Sequence, residues 1–290
     1  MKQYLEIIKK VLDNGEQKKD RTGVGAISMA GVMFEHDMNS GFPLLTTKKM
    51  PFRLIKTELE FFIKGITDKK WLQDNKNHIW DEWCSPNKVK YSHDLEIKKK
   101  MAEERDLGPI YGFQWRHFNA QYKHWDNDYS GQGIDQLKNL VQTLKTNPND
   151  RRMIVSAWNP CQLSQMALPP CHYLFQAIVT NNQLNLLWSQ RSVDVMLGLP
   201  FNIASYATLL HLLAKECGLD EGRLVGFLGD THIYLNHIEG AKEQLTRDPE
   251  KYPLPKISTD NFNSIFEWKS EDTKLFEYES YPRITFEIAV

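Results

Sequence analysis

Hydrophobic positions along the 290-residue chain change period several times, and each change marks an element. Tyr4, Ile7, Ile8, Val11 and Leu12 recur at the spacing of one helix face, and Asn14-Gly15 is a fitting stop. Residues 26–34 read as a strand. Phe52, Ile55, Leu59, Phe62 and Ile66 repeat every three or four residues, which predicts an amphipathic helix over 51–66. On that helix Lys56, Glu60 and Lys64 stand four apart, placing Glu60 between cations on an outer face. Glu58 does not share that face. It falls among Leu54, Ile55, Phe61 and Phe62. Such a carboxylate either snorkels to the edge or loses hydration, and in the second case its pKa rises. Ile134, Leu137, Val141 and Leu144 predict a further helix over 134–144. Residues 202–217 are apolar on most faces, as suits a helix at the centre of the molecule, and Gly218 is placed to end it.

The segment 166–179, MALPPCHYLFQAIV, has no helical period. Pro169 and Pro170 fix the chain direction, and the mostly apolar run behind them reads as a largely buried strand. Cys171 stands at its mouth. A cysteine in such surroundings is ordinarily a small hydrophobe. Asn181-Asn182 is a tight-turn signal between this run and LNLLWSQ, so the two are expected to be hairpin neighbours. That pairing brings Cys171 towards Arg191 and Ser192. The stretch 229–237, GDTHIYLNH, is read as following a short strand, and 283–290 alternates like a strand up to the terminus. Residues 84–106, rich in lysine and glutamate, are read as a peripheral, partly helical excursion from one domain spanning 1–290.

Composition narrows the class. Hydrophobic residues at 41% and charged residues at 25% are ordinary for a soluble globular protein. A net charge of −1 supplies no field for nucleic acid or anionic membrane, so nucleic acid is not expected as the main ligand. Cysteines at 84, 161, 171 and 217 form no CxxC pair and suggest reduced thiols in a cytoplasmic setting. The first fifteen residues lack a signal-peptide apolar core, and no apolar run reaches the length of a membrane span. His232 and His237 are five apart without a cysteine or carboxylate at zinc-like spacing, so no metal is expected.

The remaining chemistry gathers around anions. Arg21 lies in the glycine-bearing loop KKDRTGVG, Arg151 and Arg152 precede a strand, and Arg191 follows the hairpin. Adjacent arginines beside Asp150 can simply pair with carboxylates, or they can hold phosphate. Trp80 and Trp83 suit either core packing or the stacking of a flat ligand. Taken alone, these residues fit attack by Cys171, its thiol activated by an arginine, on a phosphorylated small molecule.

The motifs DRTGVG (20–25), GFPLLTTKK (41–49), HIWDEW (78–83), GPIYGFQWR (108–116), NDRRMIVSAWNP (149–160), MALPPCH (166–172), QRSVDVMLGLPFNIASYA (190–207) and GDTHIYLNH (229–237) run nearly end to end. With the helix bearing Glu58, they resemble the folate-dependent, cysteine-nucleophile thymidylate synthase family. The resemblance implies an α+β fold: a single large domain, a mixed β-sheet with a buried central helix and flanking helices, and a sheet-mediated homodimer. It implies reductive methylation of dUMP to dTMP, with 5,10-methylenetetrahydrofolate as co-substrate.

By the same resemblance, Cys171 is the nucleophile and Glu58 manages protons. Tyr111 and His172 support the site, and Arg191 acts at both the cysteine and the phosphate. Arg21, Arg191 and Ser192 resemble phosphate holders, and Arg151 and Arg152 the pair donated across the dimer. Gln190, Asp194 and Asn202 fall among the dUMP contacts, Asn202 at the uracil edge, with His232 and Tyr234 at the ribose. Lys48, Ile79, Trp80, Trp83, Asp194, Leu197, Gly198, Phe201 and Val290 resemble the folate site, Val290 as its closing latch. Two departures stand out: Glu60 where many members carry leucine, and Thr285 where many carry lysine. A dUMP 5-hydroxymethylase of the same fold is the nearest alternative. A catalytically dead folate or RNA binder is a more distant one, opposed by the joint presence of Cys171, Glu58 and Asn202.

Overall fold

The computed structural model describes residues 1–19 and 23–288. Helix α1 (Lys2–Asn14) buries the stripe Tyr4, Ile7, Ile8 and Val11 that its period marks. Strand β1 (Glu16–Lys18) and strand β2 (Ala26–Asp37) follow. Next come helices α2 (Phe52–Ile63), α3 (Lys69–Asp74), α4 (Leu95–Glu103), α5 (Tyr111–His117) and α6 (Gln136–Thr146). Strands β3 (Ile154–Ser156), β4 (His172–Thr180) and β5 (Gln183–Asp194) lead to helix α7 (Gly198–Cys217) and the long strand β6 (Asp220–Tyr234). Helix α8 (Ile238–Leu245) and the pair β7 (Lys256–Thr259) and β8 (Thr273–Phe276) complete the order.

Six strands form one sheet in the order β1-β2-β6-β5-β4-β3. Neighbours are antiparallel except β5 and β6, which run parallel. A parallel neighbour cannot be reached by a tight turn, so the chain must cross over the sheet. The 20-residue α7 makes that crossover. Its weak amphipathicity follows from its place, because it is packed from Leu199 to Ala214 on nearly every side. Gly218 ends it in the left-handed conformation, φ 66°.

The hairpin expected at Asn181-Asn182 is present. Both residues take positive φ (49° and 61°), as a two-residue type I′ turn needs. It sets the register that pairs Phe175 with Trp188, and an irregularity between His172 and Leu174 then shifts the pairing so that His172 meets Gln190.

Alternation along the strands separates two faces. Phe34, Phe175, Leu186, Trp188 and Leu224 are buried on one. On the other, Met33 and Phe227 pair across β2 and β6 and are 57% and 47% exposed. Ile154 is exposed on the edge strand β3. One face of the sheet is thus covered by the chain, and the other is apolar and open.

Several sequence readings are corrected. The helix expected from Ile134 begins at Gln136, because Ile134 instead pairs with Phe118 in an isolated bridge. The stretch 229–237 does not follow a short strand, since residues 229–234 are the end of the 15-residue β6. Residues 283–288 form no strand. They are held by Arg247 Nη1 donating to Pro282 O (2.7 Å) and by His237 Nε2 lying 2.7 Å from Glu287 O. Glu60 is not on an outer face. The 264–276 segment covers that side of α2, so Glu60 is buried, pairs with Lys64 and accepts from Ser270 N (2.8 Å). Within residues 84–106, Leu95–Glu103 is helical, and the segment returns to the start of α3 through a bridge between Asp68 and Asp106.

Candidate active site

Cys171 sits one residue before β4, where Pro169 and Pro170 end their turn. Its backbone is clamped on both sides. The Cys171 N–H donates to Tyr111 Oη (2.7 Å), and Arg191 N donates to Cys171 O (2.8 Å). The Arg191 side chain folds back on the same turn, with Nε donating to Pro170 O (2.9 Å) and Nη2 to Pro169 O (2.7 Å). Its guanidinium lies over the Trp158 ring at 5.6 Å. The Arg191 guanidinium is thus seated on the turn that carries Cys171.

A row of rings leads from this cysteine to Glu58. Tyr111 packs against His172 (4.4 Å between ring centroids) and stacks on Phe62 (4.8 Å). Trp80 meets Tyr111 edge-on at 6.0 Å and meets Trp83 in the same way at 6.0 Å. The Trp80 indole N–H donates to Glu58 Oε1 at 2.7 Å. Burial pushes the Glu58 carboxyl up from 4.5 to about 7, although the Trp80 hydrogen bond pulls the other way. Glu58 is half-buried, and its Oε1 is turned inward onto the Trp80 indole.

His172 is buried with Nδ1 2.9 Å from Tyr206 Oη, and burial lowers its pKa to about 3. It is a neutral ring at neutral pH and carries no charge to the cysteine. Tyr206 in turn stacks on Trp188, whose indole N–H donates to Gln190 Oε1 at 3.2 Å. Gln190 Nε2 then donates to Asn202 Oδ1 (3.0 Å) in the first turns of α7 and to Ser192 O (3.0 Å). The orientation of the Asn202 amide is fixed from behind by a chain of buried donors.

The parallel register of β5 and β6 sets Ser192 beside Asp230 and Asp194 beside His232. Asp194 Oδ1 accepts from Met196 N (2.9 Å) and Leu197 N (3.1 Å), capping the entry to α7. His232 Nδ1 is 3.1 Å from Asp230 O, and its ring lies 5.1 Å from that of Tyr234. Ile79, Trp83, Leu197, Gly198 and Phe201 are half-buried, and Trp80 is buried. Lys48 is buried too. Its ammonium donates to Met196 O, lies 4.8 Å from the Phe286 ring centroid, and is pushed down to about 7 by burial.

Arg151 and Arg152 are not brought to Cys171 within one chain. Ile154 pairs with Gln176, so the arginines lie alongside the far end of β4. At ~3.3 Å per residue that is roughly 20 Å from the cysteine. Arg152 is exposed and pairs with Asp150, Nε to Oδ1 at 3.0 Å and Nη2 to Oδ2 at 2.8 Å. Arg21 and Val290 lie outside the described residues. Among those described, no group of three His, Cys, Asp or Glu side chains is placed to hold a metal, and no helix is long and apolar enough to cross a membrane.

Sequence reasoning missed Gly226 and Tyr206, which support the site from behind. Gly226 is bare because the Trp188 ring occupies the space of its side chain. Gly226 had no local signal, and Tyr206 lay in the 190–207 motif without a role of its own.

The fold and site together define an α+β domain with a clamped cysteine at the mouth of β4, a carboxyl on α2 held by Trp80, and a fixed amide on α7. The comparisons with known proteins narrow this class. A family model described as thymidylate synthase matches residues 2–290. The chain is 47% identical over 288 residues to the bifunctional dihydrofolate reductase-thymidylate synthase of Paramecium tetraurelia, covering 99% of this chain and 61% of that protein. The chain thus spans about three fifths of the length of that relative. It belongs to the thymidylate synthase family.

Proposed function

We propose that this chain converts dUMP to dTMP, using 5,10-methylenetetrahydrofolate and releasing dihydrofolate. The observation that carries the reading is the joint geometry of Cys171, Glu58 and Asn202. Cys171 is held rigidly at its backbone, so its sulfur is presented to C6 of a ring without reorganisation. Addition there breaks the C5–C6 double bond and leaves C5 as the carbon nucleophile. Asn202 is pinned by Gln190, and an amide can both donate to O4 of uracil and accept from its N3–H. With its pKa brought to about 7, Glu58 can both release and take up a proton near neutral pH. The folate supplies the one-carbon unit and then the hydride that completes the methyl group.

Arg191 and Ser192, with Arg21, serve the phosphate in this reading, and His232 and Tyr234 the ribose. Gln190 and Asp194 complete the nucleotide contacts. Trp80, Trp83, Ile79, Leu197, Gly198 and Phe201 form the folate wall, Lys48 and Val290 act at its tail end, and Tyr111 and His172 support the reacting centre. The wall is mostly apolar. A site of that kind excludes water and so favours hydride over hydroxide as the last reactant.

A homodimer completes the site. The open apolar sheet face carries Met33, Phe227 and Ile154, and Arg151 and Arg152 lie too far from their own Cys171 to serve it. Donation of both to a partner's phosphate site accounts for the two facts together. The reducing setting suggested by the cysteine spacing makes the cytoplasm the compartment.

The test is an absorbance assay for dUMP-dependent formation of dihydrofolate, with mass analysis of the nucleotide. The expected product is dTMP. A 5-hydroxymethyl product would replace this reading with the hydroxymethylase, and no turnover of dUMP would remove both.

A further inference from the structure

Lys69, at the start of α3, is 1% exposed and ranks among the largest fully buried side chains. Its ammonium has three donors, and each finds a backbone carbonyl: Met101 O at 2.7 Å, Trp83 O at 3.0 Å and Asp81 O at 3.3 Å. No carboxylate is paired with it among the described ion pairs, so carbonyl dipoles carry most of the stabilisation of the charge. Burial lowers its pKa, partly opposed by Cys84, Asp81 and Glu104 nearby.

The three acceptors belong to two otherwise separate segments. Asp81 and Trp83 lie in the turn that follows Trp80. Met101 lies in the last turn of α4, where helix carbonyls lack partners within the helix and the dipole is negative. The excursion 84–106 is fastened to α3 a second time at its far end. Lys69 N donates to Arg105 O (2.8 Å), and the Arg105 guanidinium grips the Asp68 carboxylate, with Nε to Oδ1 at 2.9 Å. The excursion thus begins at the aromatic turn and ends on the helix that carries the buried ammonium. From Trp83 the contacts continue inward, Trp83 bracing Trp80 and Trp80 donating to Glu58.

We infer that Lys69 is a positioning residue for the folate wall: anchored on α4 of the 84–106 excursion, its ammonium sets the backbone at Trp83 and thereby the Trp80 ring and the Glu58 carboxyl. The inference rests on the proposed assignment of Trp80 and Trp83 to the folate site. It gives the excursion a task that neither its composition nor the motifs around it disclose. The nucleotide side of the cleft, built on β4, β5 and β6, makes no use of this ammonium. Loss of the ammonium should therefore separate the two ligands.

Lys69→Met keeps the unbranched stem as far as Cε and removes all three donors. The expected result is a rise of roughly tenfold in KM for 5,10-methylenetetrahydrofolate, the low end of what one mis-set apolar contact in a pocket costs. The Kd for dUMP, measured by calorimetry, should stay within about twofold, a change of no more than ~0.4 kcal/mol. Unchanged folate KM in a folded variant overturns the inference, and so does an equal weakening of both ligands, which marks general loosening. Should Lys69→Met fail to fold, Arg105→Ala carries the test at the surface. It cuts the grip on Asp68 and should raise folate KM by a smaller factor while leaving dUMP binding alone; no rise overturns the role of the excursion. Wild-type protein without turnover of dUMP would sink the proposed reaction itself, an outcome distinct from either variant result.

Discussion

Replacing Glu58 with glutamine should stabilise the protein at pH 8 and leave its stability unchanged near pH 4. Burial raises the Glu58 carboxyl from 4.5 to about 7 in the folded chain. The folded state therefore holds this proton more tightly than the unfolded state does. Between about pH 4.5 and 7 it binds the larger share of protons, so stability falls as pH rises through that window. Above pH 7 the full penalty for a buried charge is present, and below pH 4.5 it is absent. At about 1.4 kcal/mol for each pH unit separating folded and unfolded values, the penalty is ~3 kcal/mol.

Glu58 retains some exposure, so an observed gain of about 1–3 kcal/mol is the reasonable expectation. Glutamine has the shape of glutamate, carries no charge to be stripped of water, and its oxygen can still accept from Trp80. Urea unfolding followed by tryptophan fluorescence, at one fixed protein concentration and at both pH values, reads the difference. A variant no more stable than wild type at pH 8 refutes the reasoning, as does a gain of equal size at pH 4. Turnover should be lost in the same variant, because stability here is exchanged for a proton carrier.

Cys171→Ala should abolish formation of dihydrofolate while dUMP binding persists, since the phosphate contacts do not involve the thiol; retained turnover would overturn its role as nucleophile. Gly226→Ala should cost about 1–3 kcal/mol of stability by overpacking. Its new Cβ would stand 2.5 Å from two carbons of the Trp188 ring, and Trp188 stacks on the Tyr206 that holds His172. An unchanged unfolding midpoint would show that this ring shifts freely.

Some features were legible because one element alone specifies them. The faces of α1 and α2 follow from a period of three to four residues, and the β4–β5 hairpin from two asparagines that tolerate positive φ. Glu58 could be singled out because its dehydrating neighbours, Leu54, Ile55, Phe61 and Phe62, stand within one turn of it. Motifs carried the rest of the candidate site, since their resemblance assigns roles that no period encodes.

Glu60, two residues further on, shows where that reading ends. Its lysine neighbours were visible, but Ser270, 210 positions away, takes its carboxylate and the segment around it hides it from water. The tail at 283–288 alternates like a strand, yet it pairs with no strand among the described residues, and alternation without a ladder partner makes no strand. Lys69 carries no local mark in the sequence; its burial comes from α4 and the turn at Trp83 closing around it. What the sequence by itself determined about this protein is therefore what short-range sterics and amphipathic period settle: its helices, its hairpin, and a carboxylate set among apolar side chains. The parallel pairing of β5 with β6, the burial of Glu60 and Lys69, and the clamp on Cys171 were decided only by the tertiary structure. Each depends on hydrogen-bond partners and on water excluded by residues far away along the chain, and no local pattern encodes which distant segment will arrive.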